Sequence, residues 1–268
     1  GNREYAYGRS LVLDENENIY LIGGFQGTYN GNKSINHVNS FLHKFDKNGS
    51  SIALKIIKGK IGHSSISDIQ ISDDKNIYIG GYGTVEGYQN FGQSDIFLAK
   101  YDLNLNKKWL KVQGSSGNDF ASKIGIDDKN NNIFLLKTRI YYGAAGEEEV
   151  LYRYSNNGNL LSNKSYKKPD YILDLNVNDD GTIDILSGGV DPDKKENKSD
   201  IFYGKINTEG GLTEYQYFGS GGSEGSLKFA FDKNNKVYIY GRSPGNVLDP
   251  NSGKNTSNND YKTFIVRT

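Results

Sequence analysis

The hydrophobic and polar positions of the chain alternate in short runs rather than in helical stripes. The clearest stretch, residues 94–136, holds four apolar runs in succession, at 97–101, 109–112, 124–126 and 133–136. Clusters of Asp, Asn, Ser and Gly separate these runs. Such a pattern predicts β-strands joined as antiparallel hairpins. No segment shows a sustained helical period of apolar residues, so we expect the whole chain to be β.

The same pattern recurs five times along the chain. Each copy has an apolar strand, an Asp/Asn turn and a second apolar strand, and the equivalent residues of the second strands are Ile19, Ile77, Ile133, Ile183 and Val237. Their separations of 58, 56, 50 and 54 residues give a period of about 54. This period is somewhat longer than the roughly 40 to 50 residues of familiar four-stranded propeller blades.

A third strand with a cation at its fourth place follows in every copy. The five cations are Lys44, Lys100, Arg153, Lys205 and Arg267. A fourth strand follows in four copies, and we label the strands of a copy A to D in chain order. Residues two apart on a strand share a face, so we expect Lys44 to pair with Asp46 and Lys100 with Asp102. A cation in every copy indicates a feature of the fold rather than a ligand site.

Four short strands form a small sheet that cannot bury both of its faces alone. Radial packing of such sheets buries the faces and leaves only short edges. The sequence therefore predicts an all-β fold, a five-bladed β-propeller of four-stranded antiparallel blades, as a single domain over residues 1–268. The approximate repeats are 1–61, 62–116, 117–168, 169–221 and 222–268.

The fifth copy has no fourth strand within this sequence, which reaches Thr268 in strand C. We expect its blade to have three strands of its own, unless residues 1–7 or a partner chain completes it. An unpaired strand edge at this point would favour self-association or assembly with another chain.

Nearly the whole chain, and residues 94–136 most strongly, resembles the bacterial β-propeller repeat often called SBBP. The resemblance rests on Asp95, Phe97 and Lys100, then on Trp109, and then on the Gly-Ser-Ser-Gly-Asn-Asp segment 114–119. The first repeat departs from the pattern, since it has Asn39 where Asp95 stands, and the fourth has Pro-Asp at 169–170 in place of the Gly-Ser-Asp lead-in. The resemblance implies a propeller that is secreted or on the cell surface of a bacterium. It brings no established catalytic residues.

Composition narrows the classes of partner. Lys+Arg and Asp+Glu both number 32, so the formal net charge is zero and bulk attraction to nucleic acid is not expected. Cysteine is absent, which excludes disulfides and thiolate metal sites. No apolar run approaches the roughly 18 residues that a membrane-spanning helix needs. Methionine is also absent, so we expect a removed signal peptide or residues trimmed from the start.

Metal and cofactor chemistry finds no support in the sequence. Residues 176–181 superficially resemble a calcium loop, but the first Asp and the Glu at the twelfth place are missing. His37, His43 and His63 do not have the spacing of metal ligands. We therefore expect neither a metal nor a cofactor.

Carboxylates occur on the A strands, which we expect to line the propeller axis. The residues aligned at one level are Ser10, Asp68, Lys123, Asp174 and Lys228. We interpret them as a mixed-charge ring, because buried charges need opposite partners. The alternative makes Asp68 and Asp174 the acid and base of a glycoside hydrolase or lyase. Interleaved lysines argue against that alternative, since they lower carboxyl pKa values and spoil a general acid.

The B–C connections are long and, in a blade, all leave on one side. They span 25–38, 82–93, 138–147, 190–198 and 243–259. Long connections on a rigid scaffold are where binding usually resides. We expect the ligand contacts to be Tyr29, Tyr88, Phe91, Tyr141 and Tyr142, unless these rings only pack their own loops. The predicted function is a non-catalytic binding, adhesion or scaffold module whose partner is a glycan or a surface protein.

Overall fold

The computed structural model describes residues 4–138, 149–166, 171–189, 200–220, 224–232, 236–245 and 262–267. Within these ranges the regular elements are nineteen β-strands and no helix. The all-β prediction is confirmed. The strands form antiparallel sheets whose strand order follows the order in the chain.

The first two sheets have four strands each. Sheet 1 contains β1 (Tyr5–Leu13), β2 (Ile19–Tyr29), β3 (Asn32–Phe45) and β4 (Ser51–Ile57). Sheet 2 contains β5 (Gly59–Ile71), β6 (Asn76–Val85), β7 (Asp95–Asp102) and β8 (Lys107–Gln113). In both sheets the strands correspond to the predicted A, B, C and D.

The remaining described residues form two further four-stranded sheets and one of three strands. Sheet 3 contains β9 (Phe120–Asp127), β10 (Asn132–Thr138), β11 (Glu149–Ser155) and β12 (Leu160–Tyr166). Sheet 4 contains β13 (Tyr171–Val177), β14 (Ile183–Gly189), β15 (Asp200–Ile206) and β16 (Leu212–Phe218). Sheet 5 contains β17 (Gly225–Phe231), β18 (Val237–Ser243) and β19 (Lys262–Arg267). Three described strands in sheet 5 match the expectation, and Tyr5 to Tyr7 pair with β2 in sheet 1.

The register of the strands supports the repeat alignment residue by residue. Each A strand carries a β-bulge. The residue directly after the bulge pairs with the fourth residue of the B strand, counted from the equivalent positions Ile19, Ile77, Ile133, Ile183 and Val237. The residues after the bulge are Ser10, Asp68, Lys123, Asp174 and Lys228, and their partners are Ile22, Gly80, Leu136, Leu186 and Tyr240. The strand register within each sheet therefore confirms that these five residues occupy equivalent positions of their A strands.

The chain divides into two compact units, Gly1–Ile140 with Val150–Asn163, and Tyr141–Glu149 with Lys164–Thr268. In the first unit, sheets 1 and 2 bury a shared core that includes Tyr20, Ile22 and Phe97. A second core there joins sheet 2 to sheet 3 through Leu98 and Leu135, among others. In the second unit, sheets 4 and 5 share a core around Leu186, Ile201, Val237 and Ile239. The single domain over residues 1–268 stays a prediction.

Glycines on the B strands make room for aromatic rings on the C strands. A Cβ at Gly81 would lie 2.5 Å from the ring of Phe97 and 2.2 Å from the Ser65 carbonyl oxygen. Gly23 has the same relation to Phe41. Because Gly81 pairs with Phe97 in register, the Phe97 ring occupies the space that a side chain at position 81 would need.

Two of the C-strand cations, Lys44 and Lys100, bridge neighbouring sheets, so their predicted pairs with Asp46 and Asp102 are wrong. Lys44 Nζ donates to the Leu103 carbonyl oxygen in the C–D turn of sheet 2, at 3.0 Å. Lys100 donates to the Asn156 side chain in the C–D turn of sheet 3. Asp46 and Asp102 instead accept backbone N–H bonds of their own turns. The chain turns at these aspartates, so their carboxylates cap the turn rather than face the lysine two residues earlier.

The first B–C connection is a hairpin and not the long loop that we expected over 25–38. Strands β2 and β3 continue to Tyr29 and from Asn32, joined by Asn30 and Gly31 with φ of 45° and 77°. Two successive residues of positive φ are typical of the type I′ turn, for which Asn-Gly is the preferred pair. The Asn-Gly signal was in the sequence, but alignment with the longer connections hid it.

Candidate functional site

Tyr29, a predicted ligand contact, packs against its own sheet. Its ring stacks on Phe41 with centroids 4.3 Å apart and an angle of 13° between the planes. Its hydroxyl is hydrogen-bonded to His43 Nδ1 at 2.8 Å. Desolvation by this packing raises the pKa of Tyr29 and lowers the pKa of His43. Both the ring and the hydroxyl of Tyr29 therefore make contacts within its own hairpin.

Tyr88 and Phe91 lie on the second B–C connection. The Tyr88 ring packs against the core of sheets 1 and 2, and its hydroxyl accepts a hydrogen bond from Lys107 Nζ at 2.9 Å. The Phe91 side chain is 48% exposed, while its backbone N–H donates to Asp95 Oδ2 at 2.8 Å. Phe91 thus presents an apolar ring from an anchored backbone. Tyr141 and Tyr142 lie outside the described residues.

Asp95 and Asp119 hold together the connections beside Phe91. Both carboxylates are buried, and Asp119 Oδ2 accepts bonds from the Ser115 N–H at 2.6 Å and the Ser115 hydroxyl at 3.0 Å. Its Oδ1 lies 2.5 Å from Lys137 Nζ. The Asp119 N–H donates to the Ser94 carbonyl oxygen, so the B–C and D–A connections meet here. The Gly-Ser-Ser-Gly-Asn-Asp segment is therefore an anchor for these loops.

Glu224 repeats this arrangement in the second unit. Its Oε1 accepts bonds from the Ser220 N–H and hydroxyl and from the Ser243 hydroxyl. Burial raises the pKa of Glu224 in spite of these bonds. Asp119 and Glu224 each accept hydrogen bonds from the N–H and hydroxyl of a serine four residues earlier, on the loop before an A strand. We therefore interpret both carboxylates as structural.

Asp68 and Asp174, the alternative catalytic pair, each have a structural partner. Asp68 is buried, and its Oδ2 accepts the Ile124 N–H of sheet 3 at 3.0 Å. Asp174 Oδ2 in sheet 4 lies 3.8 Å from Nζ of Lys228, which occupies the equivalent position in sheet 5. The two carboxylates belong to different units of the chain. The Asp174–Lys228 pair fits the charge-neutralising interpretation, whereas the Asp68 contact is a hydrogen bond to a neutral backbone group.

Sequence reasoning missed an aromatic cluster at the start of the A strands. Tyr5 and Tyr7 on β1 are 43% and 40% exposed, and their rings stack at 6.2 Å with 20° between the planes. Tyr82 near the end of β6 meets Phe120 at the start of β9, with centroids 4.6 Å apart. Tyr7, Ser65 and Phe120 stand at the same aligned position of three successive A strands.

Polar groups connect the two halves of this cluster. Arg9 Nη1 donates to the Ser65 hydroxyl at 3.1 Å. The Tyr7 hydroxyl is also hydrogen-bonded to the Ser65 side chain. Partial burial raises the pKa of Tyr7, Arg9 opposes that rise, and the nearby Tyr82 and Tyr5 hydroxyls add to it. The sequence signal was the Tyr-Ala-Tyr at 5–7, which lies just outside the repeat signatures.

The chain resembles solved structures whose function is unknown. A protein of unknown function from Dyadobacter fermentans matches 95% of this chain and 82% of its own, at 11% identity and a TM-score of 0.56. One from Bacteroides caccae matches 87% and 70%, at 11% identity and a TM-score of 0.54. At this identity the likeness shows a shared fold alone.

The propeller domain of the trilobed protease from Pyrococcus furiosus also aligns, over 98% of this chain and 68% of its own. Its identity is 13% and its TM-score 0.49, so nothing about function follows from it. No family model matches the chain. No curated protein matches it either.

Two features are absent from the residues that the structure describes. No helix there has the length and apolar character to span a bilayer. No group of three or more His, Cys, Asp or Glu side chains in those ranges is placed to hold a metal ion.

Proposed function

We propose that the chain is a five-bladed β-propeller of the bacterial repeat type, acting as a non-catalytic binding or scaffold module outside the cell. Its ligand is a glycan or a protein, held on the side from which the B–C connections leave. The resemblance of residues 94–136 to a surface-protein repeat supports the location. The strand order and face-to-face packing within each unit support the propeller architecture.

The observation that carries the binding function is the set of exposed rings at one end of the strands. Phe91, Tyr5 and Tyr7 all lie where a B–C connection leaves its sheet or where the paired A strand begins. Aromatic rings offer a flat apolar surface at low entropy cost, and Tyr adds a hydroxyl for hydrogen bonding. Asp95 holds the backbone of Phe91, and the pairing of β1 with β2 holds Tyr5 and Tyr7.

The structural roles of the A-strand carboxylates argue against glycoside hydrolysis. A general acid needs a carboxyl group that can give its proton to the substrate. Asp68 Oδ2 accepts a hydrogen bond from the buried Ile124 N–H, and Asp174 Oδ2 lies 3.8 Å from Lys228 Nζ, so each carboxylate has a structural partner.

A glycan and protein array, combined with a hydrolysis assay, tests this function. We expect binding without release of reducing ends, for the native chain and for Asp68→Asn alike. Asparagine keeps an oxygen that can accept the Ile124 N–H, so this variant should fold. Turnover that the Asp68→Asn change abolishes would defeat the proposal.

A further inference from the structure

We propose that Tyr5, Tyr7, Tyr82 and Phe120 form an aromatic platform that binds a neutral glycan chain. This inference rests on the proposed binding function and names both its ligand class and its site. The platform lies in the first unit, at the ends of β1, β6 and β9 next to the B–C connections.

The two exposed tyrosines are oriented as a continuous surface. Tyr5 and Tyr7 are two residues apart on β1 and therefore share a face of the strand. Their planes differ by only 20°, so the two rings present adjacent, nearly parallel faces. Both rings keep about two fifths of their surface open to solvent. Tyr29, which stacks flat on Phe41, shows how a ring of this chain looks when it only packs its own sheet.

A glycine holds the Tyr7 ring in its position. The ring lies over Gly24 of β2, where a Cβ would come within 2.7 Å of the Tyr7 hydroxyl oxygen and 2.8 Å of the ring. Gly24 pairs directly with Tyr7 in the sheet. The close approach lets the ring lie down across the strand pair instead of standing away from it.

Polar groups surround the platform in the mixture that a sugar requires. A pyranose ring has an apolar face of C–H bonds and a rim of hydroxyls. The ring faces of the platform suit the first. The Tyr hydroxyls and the exposed Arg9 suit the second, since a guanidinium has five N–H donors and one of them binds the buried Ser65.

Charge favours a neutral ligand over a nucleic acid. Single-stranded nucleic acids also stack on aromatic rings, but they need a positively charged groove along the backbone. The platform has Arg9 as its cation, and the exposed Glu4, three residues before Tyr7 and just before β1, lies beside Gly27. The whole chain carries no formal net charge.

Calorimetric titration with neutral hexasaccharides, namely cellohexaose, xylohexaose and laminarihexaose, tests the platform. For the hexasaccharide that binds, the double variant Tyr5→Ala/Tyr7→Ala should raise Kd by about tenfold or more, as the loss of stacking worth about 1.4 kcal/mol would. Tyr7→Phe keeps the ring and should stay within about threefold. Gly24→Ala displaces the Tyr7 ring without removing it and should weaken binding.

Two control variants separate the platform from the rest of the surface. Tyr215→Ala removes a ring that is more exposed, at 61%, but lies on β16, and it should not change Kd. Phe91→Ala removes the B–C contact. Lost affinity with Phe91→Ala and none with the Tyr5/Tyr7 pair would overturn the platform and leave the proposed binding function standing.

Thermal unfolding of every variant guards against a trivial loss of fold. If the double variant melts early, the comparison of Tyr7→Phe with Gly24→Ala still decides the matter. Equal Kd values for these two and the native chain would overturn the platform. Binding of none of the three hexasaccharides would also overturn it, whereas a protein or charged glycan found on the array would preserve the proposed function.

Discussion

Single residues in the turns show how far the sequence determines local structure. The A–B turns of sheets 1, 2 and 4 and the C–D turns of sheets 1 to 4 share one geometry, in which the fourth residue has positive φ. Glycine supplies it in several copies, at Gly49, Gly158 and Gly181 among others, as turn chemistry predicts. Glu17 and Leu105 adopt the same backbone conformation against their intrinsic preference, and only the alignment of the repeats reveals that they do.

Replacement of Glu17 by glycine should therefore stabilise the chain. Glu17 has φ of 62° and is exposed, so its side chain contributes strain and little packing. We expect Glu17→Gly to raise the free energy of unfolding by about 0.5–1 kcal/mol, the strain relieved less the entropy of glycine. Urea denaturation measures the change. Glu17→Ala is the control, because it removes the same charge but keeps the Cβ; an equal gain in both would assign the effect to charge.

The candidate site was only partly predictable at this scale. The exposed Phe91 was found because it stands in a long polar connection. Tyr29 was expected to be a contact for the same reason, yet the Asn-Gly turn turned its connection into a hairpin with an internal ring stack. Tyr5 and Tyr7 were missed because they precede the repeat signature. Their exposure follows from pairing with Gly24 and its neighbours on β2, which no pattern along one strand reveals.

At the scale of the elements, the C–D turns of sheets 2 and 3 accept hydrogen bonds from the preceding sheet. In sheet 2 the Leu103 carbonyl oxygen accepts from Tyr20 and Lys44. In sheet 3 the Asn156 side chain takes that place, accepting from Tyr78 at 2.9 Å and from Lys100. The recurring cation was visible in the sequence. Its partner was not, because the bond joins residues about one repeat apart.

Asn156→Ala should break this link between sheets 2 and 3. The change leaves a largely buried Lys100 ammonium and the Tyr78 hydroxyl without their acceptor, and removes the donor to Asp74 at 3.1 Å. We expect a loss of about 2–3 kcal/mol in the free energy of unfolding, the usual cost of orphaned polar groups. Asn157→Ala, at the exposed neighbouring position, should cost under about 0.5 kcal/mol. Similar losses for both would show that the turn, not the link, sets the stability.

At the scale of the whole molecule, five aligned repeats predicted five sheets of consecutive antiparallel strands. The prediction succeeded because the apolar periodicity of each repeat specifies its strands and their register, as the bulges before Asp68 and Asp174 show. Which sheet faces pack against each other depends on residues that are far apart in the sequence. One such face is that of sheet 1 turned away from sheet 2, where Leu11 and Leu13 are 54% and 56% exposed.

The five-bladed proposal predicts that this face of sheet 1 is covered in solution, since a propeller buries both faces of every blade. Leu11→Asp would then place a charge in an apolar contact, and we expect a loss of about 2–3 kcal/mol in the free energy of unfolding. Leu161→Asp is the matched control, because Leu161 is 53% exposed on the outermost strand β12 and should cost under about 0.5 kcal/mol.

Chemical denaturation compares the two variants at several protein concentrations. A concentration-independent loss for Leu11→Asp alone would support coverage within one chain, and a loss that grows at low concentration would mean that a second copy covers the face. Equal, small effects of both changes would contradict the five-bladed proposal, because they would leave one face of a blade open to water.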